Sequence, residues 1–448
     1  MFLLMKAYLS DQGLSPTLLR ALLGSAGIRT AGMGLSFLVG VQLARALGVE
    51  GYGIYGLAMS IISIAMTFAA FGLPQLVTRE SARAYTNNDW AGLYALLRWC
   101  SRTVCLLALP AATVGIIAAY WQKDSSGITL LYAVVAGLLI VILTPLANIY
   151  GSALRGLQHI VKGQLPEAIF RPLFYSLFLY VGVVSYPSAV GPQGAMALQV
   201  LAVALSALVA YFLLQRVLPK VSPLDVTHAQ SAQWFQGAWP MALTEAMRVV
   251  QGNLPILVLG VLASTYLVGI YRVGSSVYLL LTFPLTLINI VFSPIFAQLH
   301  SAQEQHKLQQ LLGLASRAMV LGVFLLTLPF IFFGEDILGF LFGDEFREAN
   351  SILLVLGGGA IVGSFFGPGA TLLNMTGHER LVTRSLGFSL LVFFVIAPPL
   401  VAMTDAEGAA IASSIVFIAW NAVMCFRARR VLSLDSSVIG GLKFGWRS

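Results

Sequence analysis

The sequence predicts an all-α integral membrane protein. It predicts twelve transmembrane helices in two six-helix lobes, related by a pseudo-two-fold axis along the membrane normal. Composition, the spacing of apolar runs and an internal repeat support this class. Of 448 residues, 58% are hydrophobic and only 10% are charged. Soluble domains carry about 25% charged residues, so this chain has too few charges to cover a water-facing surface.

The apolar runs have the length of membrane helices. A helix crosses the hydrocarbon layer with about 20 mainly apolar residues. This template predicts spans at 24–47, 52–77, 100–121, 128–150, 165–186, 194–215, 236–260, 266–298, 314–333, 350–374, 385–403 and 407–426. The connectors between them are too short to form a soluble domain, so the predicted function resides in the membrane helices.

Three motifs recur in the same order in each half of the chain. GIYGLAMS at 53–60 is similar to GIYRVGSS at 269–276, and PQGAMAL at 192–198 is similar to AEGAAIA at 406–412. A third, weaker pair is GSALRGLQH and GATLLNMTGH. We therefore predict an N-terminal lobe at 1–218 and a C-terminal lobe at 219–448. Repeats of this kind place a substrate path between the halves.

Basic residues accumulate on one side of the predicted spans. With both termini in the cytoplasm, most of the 26 Lys and Arg residues fall in cytoplasmic loops, and only Arg45, Lys123 and Arg347 fall outside. Cytoplasmic loops are enriched in Lys and Arg, which favours this orientation. The net charge of +8 then follows from the loop bias, so we predict no nucleic-acid binding.

The segment MALTEAMRVVQGNLPILVLGVL at 241–262 carries charge inside a predicted span. Glu245 and Arg248 are three residues apart, and Gln251 extends the same helix face, with Asn253 slightly beside it. Charged side chains within a membrane usually face a cavity or a partner. Two interpretations remain open: an intrahelical ion pair that locks neighbouring helices, or a polar face that lines a substrate cavity.

Three further arginines fall within predicted spans. Arg29 lies among small residues, where its side chain either contacts a bound group or extends to the membrane interface. The same two alternatives apply to Arg272, which lies near the other membrane face. Arg171 follows Glu167 by four residues, which predicts an interfacial ion pair. Arginines outnumber acids within the spans, and this excess favours an anionic passenger because guanidinium groups bind phosphate bidentately.

Glycines in the tenth span suggest either close packing or a hinge. Gly363 and Gly367 share one helix face, and Pro368 follows. Small residues at this spacing allow helices to approach closely, whereas Pro favours a bend. No nucleotide-binding, zinc-binding or nucleophile motif occurs in the sequence, so we predict no cofactor, no metal and no enzymatic activity.

Several segments jointly resemble the Wzx-type polysaccharide flippases of the multidrug/oligosaccharidyl-lipid/polysaccharide (MOP) exporter superfamily. They are LARALGVEGYGIYGLAMS at 43–60, FGLPQLVTRESAR at 71–83, GSALRGLQHIVKG at 151–163, GNLPILVLGVLASTYLVGIYRVGSS at 252–276 and GDEFREANSILLVLG at 343–357. The resemblance extends over nearly the whole chain. It implies a MATE-like fold that alternates between inward-open and outward-open states.

The resemblance also implies a function and a location. Such flippases move undecaprenyl-pyrophosphate-linked oligosaccharides across the bacterial cytoplasmic (inner) membrane for O-antigen, capsule or exopolysaccharide synthesis. They use a positively charged cavity, to which Arg29, Arg248 and Arg272 would contribute, and Glu245 would be the ion-coupling candidate. Membrane lipids, a polysaccharide polymerase and the chain-length machinery are the implied partners. The alternatives are a MATE-like cation-coupled drug antiporter and, as an enzyme, a membrane glycosyltransferase or polymerase.

Overall fold

The structure is a computed structural model that describes residues 16–120, 127–185, 190–219 and 228–440. Within these ranges the chain is helical and contains no strand. The helices before residue 220 are α1 Pro16–Ala70, α2 Leu73–Asn87, α3 Trp90–Tyr120, α4 Gly127–Ala136, α5 Leu138–Gly156, α6 Ile160–Leu165, α7 Arg171–Ser185 and α8 Pro192–Gln215, with a π-helical turn at Pro166–Phe170 between α6 and α7.

The described part of the second half of the chain is also helical. Its helices are α9 His228–Leu262, α10 Thr265–Leu281, α11 Phe283–Ser301, α12 Gln305–Phe342, α13 Ala349–Ser364, α14 Gly369–Met375 and α15 Glu379–Leu432. A short 3₁₀ turn, Asp344–Phe346, connects α12 to α13.

Nine helices in the described ranges are long and apolar enough to cross a membrane, or ten if the bent pair α13 and α14 is one span. Helices α1 and α15 contain 55 and 54 residues. At about 1.5 Å per residue each would be roughly 80 Å long, more than twice the hydrocarbon thickness. Each contains a non-helical break, at Gly48 in α1 and at Thr404 and Asp405 in α15. The all-helical membrane class is confirmed, while the count of twelve spans stays a prediction.

Several predicted spans are interrupted. The span predicted at 266–298 is divided into α10 and α11 at Thr282, just before Pro284, which cannot donate a helical hydrogen bond. The span predicted at 128–150 is divided into α4 and α5 at Gly137. A Cβ atom on Gly137 would lie 2.4 Å from the side chain of Ile62 on α1, so this glycine permits close packing of α1 against the break between α4 and α5.

The largest apolar core joins the two halves of the chain. It includes Tyr52 from α1 and Phe342 and Phe346 from the end of α12, all at most 2% exposed. Phe37 of α1 meets the Phe342 ring edge-on, with 5.7 Å between the ring centroids. Burial of aromatic surface therefore holds α1 against the second half of the chain at this end.

The helices α1 and α10 are in backbone contact within this core. A Cβ atom on Gly53 would lie 1.8 Å from the Thr265 carbonyl oxygen, and one on Gly269 would lie 2.1 Å from the Val49 carbonyl oxygen. Arg45 extends the contact, because its Nε donates to the Leu341 carbonyl over 2.8 Å. We call residues 45–60 with residues 265–272 the tight seam.

Candidate functional site

Two cavities with charged residues in their lining adjoin inside the helical bundle. The larger cavity encloses about 630 Å³ and is lined from the second half of the chain, by α9, α10, α11, α13 and α15. The smaller cavity encloses about 320 Å³ and is lined by α1, α2, α5, the π-helical turn and α9. Arg248 lines both. Arg248 of α9 therefore separates the two cavities, and its side chain lines each of them.

Arg248 is also paired with Glu245 one helical turn before it. Its Nε donates to Glu245 Oε2 over 3.0 Å, and its Nη2 donates to Glu245 Oε1. The arginine side chain is nevertheless 67% exposed. An intrahelical ion pair and a cavity-lining role are thus compatible. One edge of the guanidinium is paired with Glu245, and the rest of it faces the cavities.

The other two polar residues of this segment have different surroundings. Gln251 lines the larger cavity, and its Nε2 donates to Ser389 Oγ on α15 over 3.3 Å. Asn253 donates its Nδ2 to the Val249 carbonyl of its own helix over 2.8 Å and lines neither cavity. Gln251 thus stays a cavity candidate, whereas Asn253 satisfies its own helix backbone.

Arg272 connects the larger cavity to the tight seam. It lines that cavity from α10, and its Cζ lies 5.3 Å from the Tyr52 ring centroid and 5.4 Å from that of Tyr55. Its Nη1 donates to the Gly56 carbonyl over 3.4 Å, while its Nε is buried without a partner among the described residues. Aromatic faces attract a guanidinium within about 6 Å. Arg272 therefore binds the two halves to each other.

Buried hydrogen bonds fix the tyrosine rings that contact Arg272. The Tyr55 hydroxyl donates to Gln199 Oε1 over 2.6 Å, and the Tyr175 hydroxyl lies 3.2 Å from the Tyr55 oxygen. All three side chains are at most 4% exposed. Because buried polar groups lose free energy when unpaired, this network holds the ring of Tyr55 in one orientation.

The smaller cavity contains two charged residues that sequence reasoning did not assign to it. Arg155 of α5 donates to Ser152 Oγ over 2.6 Å, and Glu167 faces the cavity from the π-helical turn. Glu167 interacts electrostatically with both Arg155 and Arg248. A charged Pro-Glu pair at the start of an apolar span was the available signal. Such π-helical turns occur frequently at functional sites.

The predicted ion pair between Glu167 and Arg171 is wrong. Among the described residues the ion pairs within 4.0 Å do not include it. Glu167 instead lines the smaller cavity from the π-helical turn and interacts there with Arg155 and Arg248.

Arg29 lies outside both cavities. Its side chain is exposed on α1 and lines neither space, although its charge interacts with that of Arg155. The open alternative between a cavity role and an interfacial position therefore remains. Arg248 and Arg272 are the two predicted arginines that the structure places at one cavity.

The hinge candidates lie at a real break in the helix. The axes of α13 and α14 differ by 52°. Gly363 is a packing residue, since a Cβ atom there would lie 2.4 Å from the Phe417 ring. Gly367 has a φ of +69°, in the left-handed region that favours glycine, and Pro368 is the N-cap of α14. The bend thus needs Gly367 and Pro368, while Gly363 serves close packing.

Residues 433–440, which we call the C-terminal strap, fill this break. The Ser436 hydroxyl donates to the Phe366 carbonyl over 2.8 Å, and the Val438 N–H donates to the Phe365 carbonyl over 3.0 Å. Carbonyls released at the break thereby regain partners. Burial alone would raise the pKa of Asp435, but hydrogen bonds from Ser437 and Arg429 outweigh it and lower that pKa below its usual value.

Comparison with known proteins identifies the family and the fold of this chain. The family model described as polysaccharide biosynthesis protein matches residues 19–300. No curated protein sequence matches the chain significantly.

Solved structures share the fold at low identity. An inward-facing MATE family multidrug-resistance transporter of the MOP superfamily superposes with a TM-score of 0.77 at 13% identity, covering 92% of this chain and 98% of that one. The lipid II flippase MurJ, inward closed, gives a TM-score of 0.71 at 12% identity, covering 94% and 90%. A MOP superfamily transporter from Pyrococcus furiosus, described as having a binding pocket of reverse polarity, gives 0.62 at 14% identity, covering 92% and 96%.

These structures confirm the predicted MOP and MATE-like fold class, and at this identity they carry the fold alone. The family match covers more than half of the chain and confirms the resemblance seen in the sequence motifs. Transporters and flippases, rather than enzymes, make up the family and the structural neighbours. The chain belongs to the Wzx-like family of polysaccharide biosynthesis proteins.

Proposed function

We propose that this protein moves undecaprenyl-pyrophosphate-linked oligosaccharide repeat units across the bacterial cytoplasmic membrane for surface polysaccharide synthesis. Family membership supports a polysaccharide precursor, and the fold supports a transporter. The observation that carries the proposal is Arg248, an intramembrane guanidinium that faces both cavities. The predicted lobes, 1–218 and 219–448, alternate access around these cavities.

The pairing of Arg248 suits a reversible anion site. Glu245 neutralises the guanidinium through two charge-assisted hydrogen bonds. A phosphate offers the same pair of oxygen acceptors and can replace the carboxylate, because guanidinium binds either group bidentately. Glu245, once displaced, is left without its charge partner. This exchange makes Glu245 the proposed ion-coupling site.

The charges of the cavities favour this function over a cation-drug antiporter. Among the residues that the structure describes, Arg248 and Arg272 are the only charged ones that line the larger cavity. In the smaller cavity Glu167 and Glu245 face Arg155 and Arg248, which balances the charge. The positive charge of the larger cavity stabilises an anionic head group and repels a cationic drug. The two carboxylates of the smaller cavity are the feature that an antiporter would use.

The test is complementation of a strain that lacks this gene. We expect Arg248→Ala to abolish surface polysaccharide and to accumulate lipid-linked repeat units, while Arg248→Lys retains part of the export. The control is Arg317→Ala, which removes an arginine on α12 that donates to the Gly313 carbonyl and lines neither cavity. Immunoblotting of membranes verifies insertion. Normal polysaccharide with Arg248→Ala, or a gain in drug sensitivity without a polysaccharide defect, would reject the proposal.

Partners and placement are part of the same proposal. Release of repeat units outside the membrane makes a polysaccharide polymerase and its chain-length machinery the expected consumers, with membrane lipids around the helices. Both termini are expected in the cytoplasm, as the distribution of basic residues predicts.

A further inference from the structure

One wall of the larger cavity carries polar groups that binding of a phosphate leaves unused. Tyr278, Thr282, Thr286 and Asn289 line it at spacings of four, four and three residues along α10 and α11. This spacing keeps them on one face, even across the break at Thr282. Hydroxyl and amide groups thus form a continuous polar stripe that faces the cavity.

Members of this stripe have free hydrogen-bonding capacity. The hydroxyls of Tyr278 and Thr286 make no hydrogen bond within the part of the chain that the structure describes. Asn289 accepts from Thr371 through Oδ1 over 2.8 Å, which leaves its amide N–H groups for another acceptor. Tyr278 is half-buried and Thr286 is exposed to the cavity, so their hydroxyls are available to hydrogen-bond a polar ligand.

An aromatic wall formed by α15 completes the cavity. Phe393, Phe417 and Trp420 line it. Trp420 Nε1 is buried and has no hydrogen-bond partner among the described residues. A buried indole N–H normally finds a partner, so this N–H is a second, independent indication that the cavity binds a hydrogen-bond acceptor.

We infer that the larger cavity is a binding site for a sugar residue of the transported substrate. A sugar ring combines an apolar C–H face with hydroxyls at its rim, and this wall combines aromatic rings with unpaired donors and acceptors. A lipid chain would leave the polar stripe unpaired. The inference rests on the proposed function, since the phosphate of the same molecule would lie at Arg248, which lines this cavity too.

The volume agrees with a partial rather than a complete glycan. Ligand cavities of about 300–1,000 Å³ hold small organic molecules, and the larger cavity has about 630 Å³. It accommodates roughly one or two sugar residues. The sugar nearest the pyrophosphate is therefore the one that this site reads, and more distal sugars extend beyond it.

The experiment measures binding of two lipids to the purified full-length protein in nanodiscs. One is the lipid-linked repeat unit extracted from the strain that carries this gene, and the other is undecaprenyl pyrophosphate without sugar. We expect the wild type to bind the repeat unit at least about tenfold more tightly, as one or two added hydrogen bonds predict. Thr286→Val and Trp420→Phe should each remove most of this preference and leave the affinity for undecaprenyl pyrophosphate unchanged.

The outcomes separate the inference from the proposed function. Trp239→Phe is the control, because Trp239 packs on Phe71 and lines neither cavity. Thermal melting of each variant establishes folding, and the two conservative substitutions act on different walls. Equal affinity of the wild type for both lipids, or a preference that survives in the double variant, would overturn the sugar site alone. Binding of neither lipid by the wild type would reject the proposed function.

Discussion

The tight seam and the larger cavity share helix α10, yet the side chains that this helix contributes to the two regions are of opposite kinds. At the seam, glycines bring the α1 and α10 backbones together, so that a single added carbon would overlap a carbonyl oxygen. In the cavity, α10 presents Arg272, Ser275 and Tyr278 to open space. The same helix thus packs against α1 through its glycines and lines the cavity with its polar side chains.

Arg272 belongs to both regions. Its guanidinium contacts Tyr52 and Tyr55 across the seam, and the same side chain lines the cavity. An anion that binds Arg272 competes with the tyrosine rings and the Gly56 carbonyl for the guanidinium. Within the proposed alternating access, occupancy of the cavity would therefore weaken the seam.

The largest expected effect comes from filling the seam. A Gly269→Val variant places side-chain atoms against the Val49 carbonyl, 2.1 Å from the first added carbon. Overpacking of this kind costs about 1–3 kcal/mol or more. We expect loss of polysaccharide export and a lowered Tm, measured by complementation and by thermal melting. Gly358→Ala is the control, since it meets nothing within 4 Å; equal Tm values for the two variants would show that the seam is not tight.

The second prediction compares a close backbone contact within the second half of the chain with the contact between the halves at the tight seam. Both should be intolerant of an added side chain. A Cβ atom at Gly367 would lie 1.9 Å from the Ser436 carbonyl oxygen. We expect Gly367→Ala to displace the C-terminal strap and expose Cys425, which is 3% accessible. Maleimide labelling of Cys425 after Cys105→Ser measures this.

The matched control for that prediction is Gly377→Ala. Gly377 also has positive φ, +81°, but a Cβ atom there meets nothing within 4 Å. Both substitutions impose left-handed strain of about 1–2 kcal/mol, and only Gly367→Ala adds the overlap. Comparable Cys425 labelling in both variants would attribute the effect to backbone strain and contradict a role for the strap.

The third prediction concerns the residue shared by the two regions. Arg272→Lys keeps the charge but loses the planar group that faces two rings. We expect a loss of about 0.5–2 kcal/mol in stability and an intermediate drop in export. A double-mutant cycle with Tyr52→Leu measures the coupling. Additive losses in Tm would show that Arg272 and Tyr52 do not stabilise the seam together.

The smallest effect is expected in the cavity itself. Glu245→Gln removes a partner from Arg248, whose side chain is 67% exposed. Exposed ion pairs contribute less than about 1 kcal/mol, so the Tm should hardly change. Affinity for undecaprenyl pyrophosphate should rise, because Arg248 no longer has a competing carboxylate. Unchanged or weaker affinity would mean that Glu245 positions the guanidinium rather than competing for it.

The sequence was sufficient to identify charged residues within the apolar membrane spans. Arg248, Glu245 and Arg272 were identifiable because a charge within an apolar run is costly wherever the helix packs. Gly367 and Pro368 were identifiable for a similar reason, since their backbone preferences are local. The π-helical turn was not, because hydrogen-bond register depends on how Pro166 and its neighbours pack.

By itself the sequence determined that the chain is helical, lies in the membrane and carries arginines within its spans, because hydropathy and charge act residue by residue. Only the tertiary structure decided which arginines meet. It placed Arg155 and Glu167 at one cavity with Arg248, left Arg29 outside, turned Asn253 to its own helix and brought Trp420 and Thr286 to the same cavity. These relations join residues far apart in the chain, and the direction of each helix face is set by packing, which no local pattern contains.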